Sequence, residues 1–252
     1  MKENSLSLTI SGNLLRIVVP RLVATAISIA LAGWAIVGFR DYTASATVRM
    51  LAKAIAEGEQ PKVAALDQLH ESREFDRILT TCNSANLRAL AAIHLKEVDL
   101  AYVMADPPRA ERMGAAAEQA IRRALACAPL DGNLWLRWAA LQTAQNGPSA
   151  ATFEAVRLSY WLAPNDGWIT RARVDFSSRL YGAGLKDVEV ELRSDIRMLV
   201  RFDSNNNIAD LLETAPESVR PIYREWIAVL PQGKRNSLTR TLERRGNNLL
   251  AQ

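Results

Sequence analysis

Between Leu22 and Phe39 the chain runs LVATAISIALAGWAIVGF, eighteen residues without a charge. Inside a bilayer every backbone N–H and C=O must be bonded within the protein, so a single such run can only be a helix. At 1.5 Å per residue it extends about 27 Å, close to the thickness of a bilayer's hydrocarbon core. Arg16 and Arg21 precede it, Arg40 follows it, and Trp34 and Tyr42 lie toward its second end. A buried core helix of a soluble protein is the alternative. Ala44-Ser45-Ala46 offers a small-residue cleavage site, but the apolar run is longer than a usual signal core. The sequence therefore predicts an uncleaved signal anchor. Lys2, Arg16 and Arg21 balance Arg40, Arg49 and Lys53, so charge alone leaves the orientation open. A short N-terminal anchor ahead of a folded body ordinarily places that body outside the cytoplasm. The expectation is a single-pass membrane protein with its C-terminal body outside the cytoplasm.

The sequence pI near 9.3 invites a nucleic-acid reading, which the charge distribution removes. Four of the 31 basic residues and one of the 27 acidic ones fall in the first 40 positions, leaving 27 basic and 26 acidic side chains. A nearly neutral body lacks the basic footprint that phosphate binding needs. Only Lys234, Arg235, Arg240, Arg244 and Arg245 are locally basic, and they read as a solvated helix face.

The body is alanine- and leucine-rich, with twelve glycines and ten prolines set singly between apolar-periodic segments. That pattern predicts an all-α chain. Residues 43–57 continue as a helix stopped by Gly58 and Pro61, and short pieces follow at 63–69 and 75–79. Leu87, Leu90, Ala91, His94, Leu95, Val98, Ala101 and Tyr102 mark one face of a longer helix. Asp106-Pro107-Pro108 breaks it, because proline lacks the amide donor and restricts its predecessor. Its return partner carries Met113, Ala117, Ala120, Ile121 and Ala124 on a stripe and ends before Pro129. Helices near 133–145, 149–162, 168–180 and 185–201 follow, then a polar loop at 203–207 and shorter helices at 208–215, 217–229 and 235–248. Short breaks between helices of this length imply antiparallel neighbours. The expected layout is a short N-terminal segment (1–21), the anchor (22–39), a helical linker (40–84), helical hairpins (85–202) and C-terminal helices (203–252).

One joint occurs twice. Ala128-Pro129-Leu130-Asp131-Gly132 returns 35 residues later as Ala163-Pro164-Asn165-Asp166-Gly167, each followed by a tryptophan, Trp135 and Trp168. Ala117, Ile121, Ala124 and Pro129, followed by Trp135, Trp138 and Ala139, stand at the spacing of the tetratricopeptide repeat. Over roughly 85–200 the chain resembles that family. Gln142 stands where the repeat has tyrosine, and Trp168 comes two residues earlier in its unit than Trp135 does in its own. The resemblance implies an irregular tetratricopeptide-like solenoid whose first helices present a protein-binding face. On that face it points to Asn133, Arg137, Arg171, Asp175 and Arg179 as partner-binding residues; a self-paired, solvated set is the alternative. The overall layout also resembles small membrane-anchored envelope proteins of α-proteobacteria, some found among genes for polysaccharide synthesis and export.

Candidate chemistry is sparse. The chain has two histidines. His94 reads as a hydrogen-bonded residue on an apolar stripe, and His70, beside Glu71, Arg73 and Glu74, as part of a solvated face. No H-E-x-x-H, phosphate-binding loop, dinucleotide fingerprint or nucleophile elbow is present. No catalytic residue, cofactor, metal ligand, small-molecule substrate or nucleic-acid partner is expected. Cys82 and Cys127 fall at the same end of a predicted hairpin, so they form either a disulfide or two buried thiols. The functional expectation is a non-enzymatic scaffold or adaptor for other envelope proteins at the inner membrane, in polysaccharide synthesis or export. An extracytoplasmic assembly factor and a helical enzyme with an unrecognised site are the alternatives.

Overall fold

The computed structural model describes residues 12–247, and among these residues the chain is helical with no strand. Helix α1 spans Gly12–Ala44 and contains Pro20. Its Val18–Phe39 stretch is long and apolar enough to cross a membrane, and none of it is buried against the rest of the chain. The two hydroxyls near its start are satisfied by its own backbone. Thr25 Oγ1 donates to the Arg21 carbonyl at 2.8 Å and Ser28 Oγ to that of Ala24 at 2.9 Å. This is how a polar side chain becomes compatible with an apolar surrounding. Residues 1–11 of the expected N-terminal segment lie outside the described residues, whereas 12–21 continue directly into α1.

Three short helices follow: α2 (Ala46–Ala56), α3 (Val63–Glu71) and α4 (Glu74–Thr80). They do more than link. Val48, Leu66, Phe75 and Ile78 are buried in one core with Leu87, Leu90 and Ile93 of α5 (Ser84–Val103) and with Ala117, Ala120, Ile121 and Ala124 of α6 (Pro107–Cys127). The small side chains of α6 bring α5 and α6 close along their length. Tyr102, expected on the apolar stripe, is exposed. Asn83 caps α5 and Asp106 caps α6, each accepting a backbone N–H. Pro107 and Pro108 occupy the first positions of α6, where a missing amide breaks no hydrogen bond.

Helices α7 (Gly132–Asn146) and α8 (Ala150–Leu162) pack as the next pair, and α9 (Gly167–Gly182) with α10 (Glu189–Phe202) as the one after. A capping box of Ser149 and Thr152 starts α8. Gly184, at φ 91°, turns the chain between α9 and α10. A second core joins Leu136, Val156, Ile169, Phe176 and Leu180. A third joins Val174, Leu192, Ile196 and Leu199 to Ile208 and Leu212 of α11 (Asn205–Thr214), Ile222 and Tyr223 of α12 (Arg220–Ala228), and Leu238 and Leu242 of α13 (Gln232–Arg244). The expected polar loop at 203–207 is only partly a loop. Ser204 accepts the Asn207 N–H at 3.2 Å, and its capping starts α11 at Asn205.

The duplicated joint is duplicated in conformation. Ala128 and Ala163 end α6 and α8 at φ/ψ of −140°/71° and −139°/58°. Asp131 and Asp166 then cap α7 and α9 at −85°/101° and −82°/101°, each side chain accepting two backbone N–H groups. The copies differ in their surroundings. A Cβ on Gly132 would lie 2.8 Å from Ala163 Cβ and 2.9 Å from the Ser159 carbonyl, whereas one on Gly167 would meet nothing. Trp135 is half-buried and its indole N–H donates to the Pro129 carbonyl at 2.8 Å, while Trp168 is exposed.

Candidate functional site

The expected partner-binding residues fall into three small groups. On α7, Arg137 Nε donates to Asn133 Oδ1 at 3.2 Å, and its guanidinium lies 6.0 Å from the Trp168 ring centroid on α9. Burial pulls the Arg137 guanidinium below its ordinary pKa; Asp131 opposes this and Arg88 adds to it. Arg88 of α5 is itself paired with Asp131 at 3.3 Å. On α9, Arg171 reaches Asp203 at 3.5 Å, and Arg179 pairs with Asp175 one turn earlier at 2.8 Å. Asp99 of α5 is raised by burial, while the charges of Lys96 and Arg179 draw it back. The stripe read from the i, i+4, i+8 spacing is therefore divided: Arg171 turns to the end of α10, and Asp175 and Arg179 satisfy each other in solvent.

Cys82 and Cys127 are joined as a disulfide, with their Cα atoms 5.5 Å apart, within the ordinary range. The bond ties the segment entering α5 to the last residue of α6, closing the open end of that hairpin.

The most concentrated chemistry lies where no site was expected. His70 near the end of α3 and His94 in the middle of α5 converge on Glu97, one turn further along α5. His70 Nε2 stands 2.9 Å from Glu97 Oε1 and His94 Nδ1 stands 2.9 Å from Oε2, each imidazole donating to one carboxylate oxygen. The Glu97 side chain is 0% exposed and that of His94 4%, but His70 keeps 32% of its side chain in solvent. Phe75 fixes both rings from α4, meeting His70 edge-on at 4.9 Å and His94 at 5.1 Å. Arg109 at the start of α6 lies 3.9 Å from Glu97 and 3.1 Å from Asp67, one turn before His70. Burial by itself would raise the Glu97 carboxyl; hydrogen bonds from His94 and His70, and their charge, outweigh it and hold the group below its ordinary range. His70, His94 and Glu97 are the three groups here that could hold a metal ion, with ligand atoms all within 4.8 Å of one another.

His70 does lie on an exposed face with Glu71 and Arg73, but its ring also reaches the buried Glu97, a contact not expected from the sequence. The signal lay in two spacings, Asp67-x-x-His70 and His94-x-x-Glu97, each placing its two residues on one helix face. Glu97 also shares the buried stripe of Leu90, His94, Val98 and Ala101. A carboxylate on an apolar stripe requires a partner, and the sequence offers candidates without saying which fold back onto it.

A second buried ionic group was not anticipated either. Arg173 of α9, 0% exposed, is held by both oxygens of Asp195 on α10, with Nη2 to Oδ1 at 2.9 Å. Its Nη1 donates to Ser159 Oγ on α8 at 3.2 Å, and the Tyr160 ring lies 5.3 Å from the guanidinium. Burial pushes the Asp195 carboxyl up, and Arg173 pulls it back. Beside this pair lies an open cleft of about 420 Å³ lined by Tyr160, Asn165, Ser194, Arg197, Arg201 and Phe202.

No family model, no curated protein and no solved structure matches this chain.

Proposed function

We propose that this chain is a membrane-anchored, non-enzymatic scaffold that holds other envelope proteins on the periplasmic side of a bacterial inner membrane. In this reading α5 to α10 form an irregular tetratricopeptide-like array, and Asn133, Arg137, Arg171, Asp175 and Arg179 lie on its partner face. The observation that carries it is the duplicated joint. Two copies of Ala-Pro-x-Asp-Gly with matching backbone angles start α7 and α9 in the same way and give two helices that offer charged side chains. The disulfide supports an oxidising compartment, since such bonds persist outside the cytoplasm. The role in polysaccharide synthesis or export follows from the resemblance in layout.

The test is co-purification from mildly solubilised membranes, comparing the native chain with an Arg171→Glu, Arg179→Glu double variant. The native chain should retain a defined partner and the variant should lose it. Folding should change by less than about 1 kcal/mol, because the ion pairs removed are at the surface. Equal capture by both would remove this face from consideration. A thiol reagent applied to membranes without reductant should label neither cysteine; labelling of both would place the body in the cytoplasm. An assembly factor for unfolded clients is favoured by one further observation: Trp168 and Phe202 stand exposed on one cleft. Capture of many unfolded peptides in place of one partner would select that reading.

A further inference from the structure

We infer that His70 Nε2, His94 Nδ1 and the Glu97 carboxylate form a binding site for one divalent transition-metal ion of the zinc class. Two imidazole nitrogens and a carboxylate are the donor set that zinc accepts alongside a fourth, exchangeable ligand. Around a tetrahedral ion with bonds of about 2.0–2.1 Å, donor atoms stand roughly 3.3 Å apart. The two nitrogen–oxygen separations are already 2.9 Å, and all the donor atoms lie within 4.8 Å. The ion would take the place of the protons that the imidazoles now share with the carboxylate, and the rings need move little to receive it.

Three features beyond the donor set support the site. First, both imidazole planes are held by the edge-on contacts with Phe75, so little side-chain freedom remains to be lost on binding. Second, the permanent cation beside the carboxylate is shared with another acid. Arg109 is the nearest permanent cation, but it lies 3.9 Å from Glu97 and 3.1 Å from Asp67, which claims it more closely. A buried carboxylate whose arginine is shared with another acid gains most from a cation placed directly on it. Third, access is one-sided. Glu97 and His94 are closed from solvent, and the open edge of His70 leaves a route for the ion and a place for a water as fourth ligand. The site would clasp α3 to α5. It does not depend on the scaffold proposal and would stand if no partner were captured.

The experiment uses the full chain in detergent, without a polyhistidine tag and stripped by a chelator. Zinc is titrated in competition with a chromogenic indicator. The expected result is one ion per chain, with affinity falling at least about tenfold in His70→Gln, which keeps a donor for Glu97 and sits at the open edge. Equal affinity in both proteins, or no binding at all, would overturn the inference. Because the chain has two histidines, ring-nitrogen NMR of the native protein gives an answer that requires no variant to fold. Zinc should shift the signals of both imidazoles. Movement of the exposed His70 alone, or of neither, would mean that Glu97 is held by hydrogen bonds and nothing more.

Discussion

Two of the buried carboxylates, Glu97 on α5 and Asp195 on α10, are kept in place differently. Asp195 faces a single guanidinium that is wholly enclosed and also held by Ser159. Glu97 is shared among two imidazoles and a more distant arginine, with one imidazole reaching solvent. In the first arrangement a planar fork meets a carboxylate and is satisfied from three helices, although Asp195 also lines the cleft beside it. The second has metal-binding atoms on two sides and an opening. Equal burial of two acids thus marks a staple in one case and a receptive site in the other. What separates them is the chemistry and exposure of the groups that neutralise them.

Breaking the staple should have the largest effect on folding. Arg173→Met leaves Asp195 buried without a partner and should lower stability by about 3–5 kcal/mol in denaturant unfolding. Adding Asp195→Leu should recover most of that loss. If the single variant were as stable as the native chain, the pair would carry no more than a surface salt bridge, and the contrast with Glu97 would collapse.

The disulfide ranks next, at the other end of the α5–α6 hairpin from Glu97. Cys82→Ser should cost about 2–4 kcal/mol, as expected for a bond closing a loop with a sequence separation of 45. Reductant should reproduce the loss in the native chain and leave the variant unchanged. A further drop in the variant on reduction would show that the stabilisation lies elsewhere.

The smallest effects compare the two copies of the joint. Gly132→Ala would force a methyl against Ala163 and the Ser159 carbonyl and should destabilise by about 1–3 kcal/mol. Gly167→Ala, in open space, should be neutral or stabilising by up to about 1 kcal/mol, since glycine is a poor helix residue. Equal losses at both would mean that the copies are packed alike, contrary to the geometry.

Helix positions were largely legible in the sequence, because prolines, glycines and capping side chains mark their ends locally. Asp131 and Asp166 cap helices in both copies of the joint, and Pro107-Pro108 fit only at the start of one. The errors arose where a local signal had two readings. Asp203-Ser204-Asn205-Asn206-Asn207 looks like a loop by composition, yet Ser204 is a cap and the asparagines form a first turn. The expected linker at 40–84 looked thin because its helices are short, but burial depends on what they meet, and α3 and α4 meet α5. The same long-range packing hid the cluster at Glu97. His70 is 27 residues away from it in sequence, and its neighbours Glu71, Arg73 and Glu74 made the segment read as solvated. The pairing of the charged residues of α9 could not be read from their spacing, since Asp203 follows the last residue of α10.

The short distance between the apolar helix and the first core residue has a consequence for reach. Phe39 closes the membrane-compatible stretch, and Val48, nine positions later, is fully buried in the body. As helix that interval is about 13 Å long, and even fully drawn out it would be about 30 Å. If α1 lies in a bilayer, the body is kept within a thin layer above the lipid instead of sweeping a wide volume on a tether. A binder confined in this way meets neighbours in the same membrane at high effective concentration and rarely meets anything free in solution. Modest affinity would then suffice for a partner that shares the membrane, and an otherwise identical body released from its helix would seem to have lost that partner without any change in its surface.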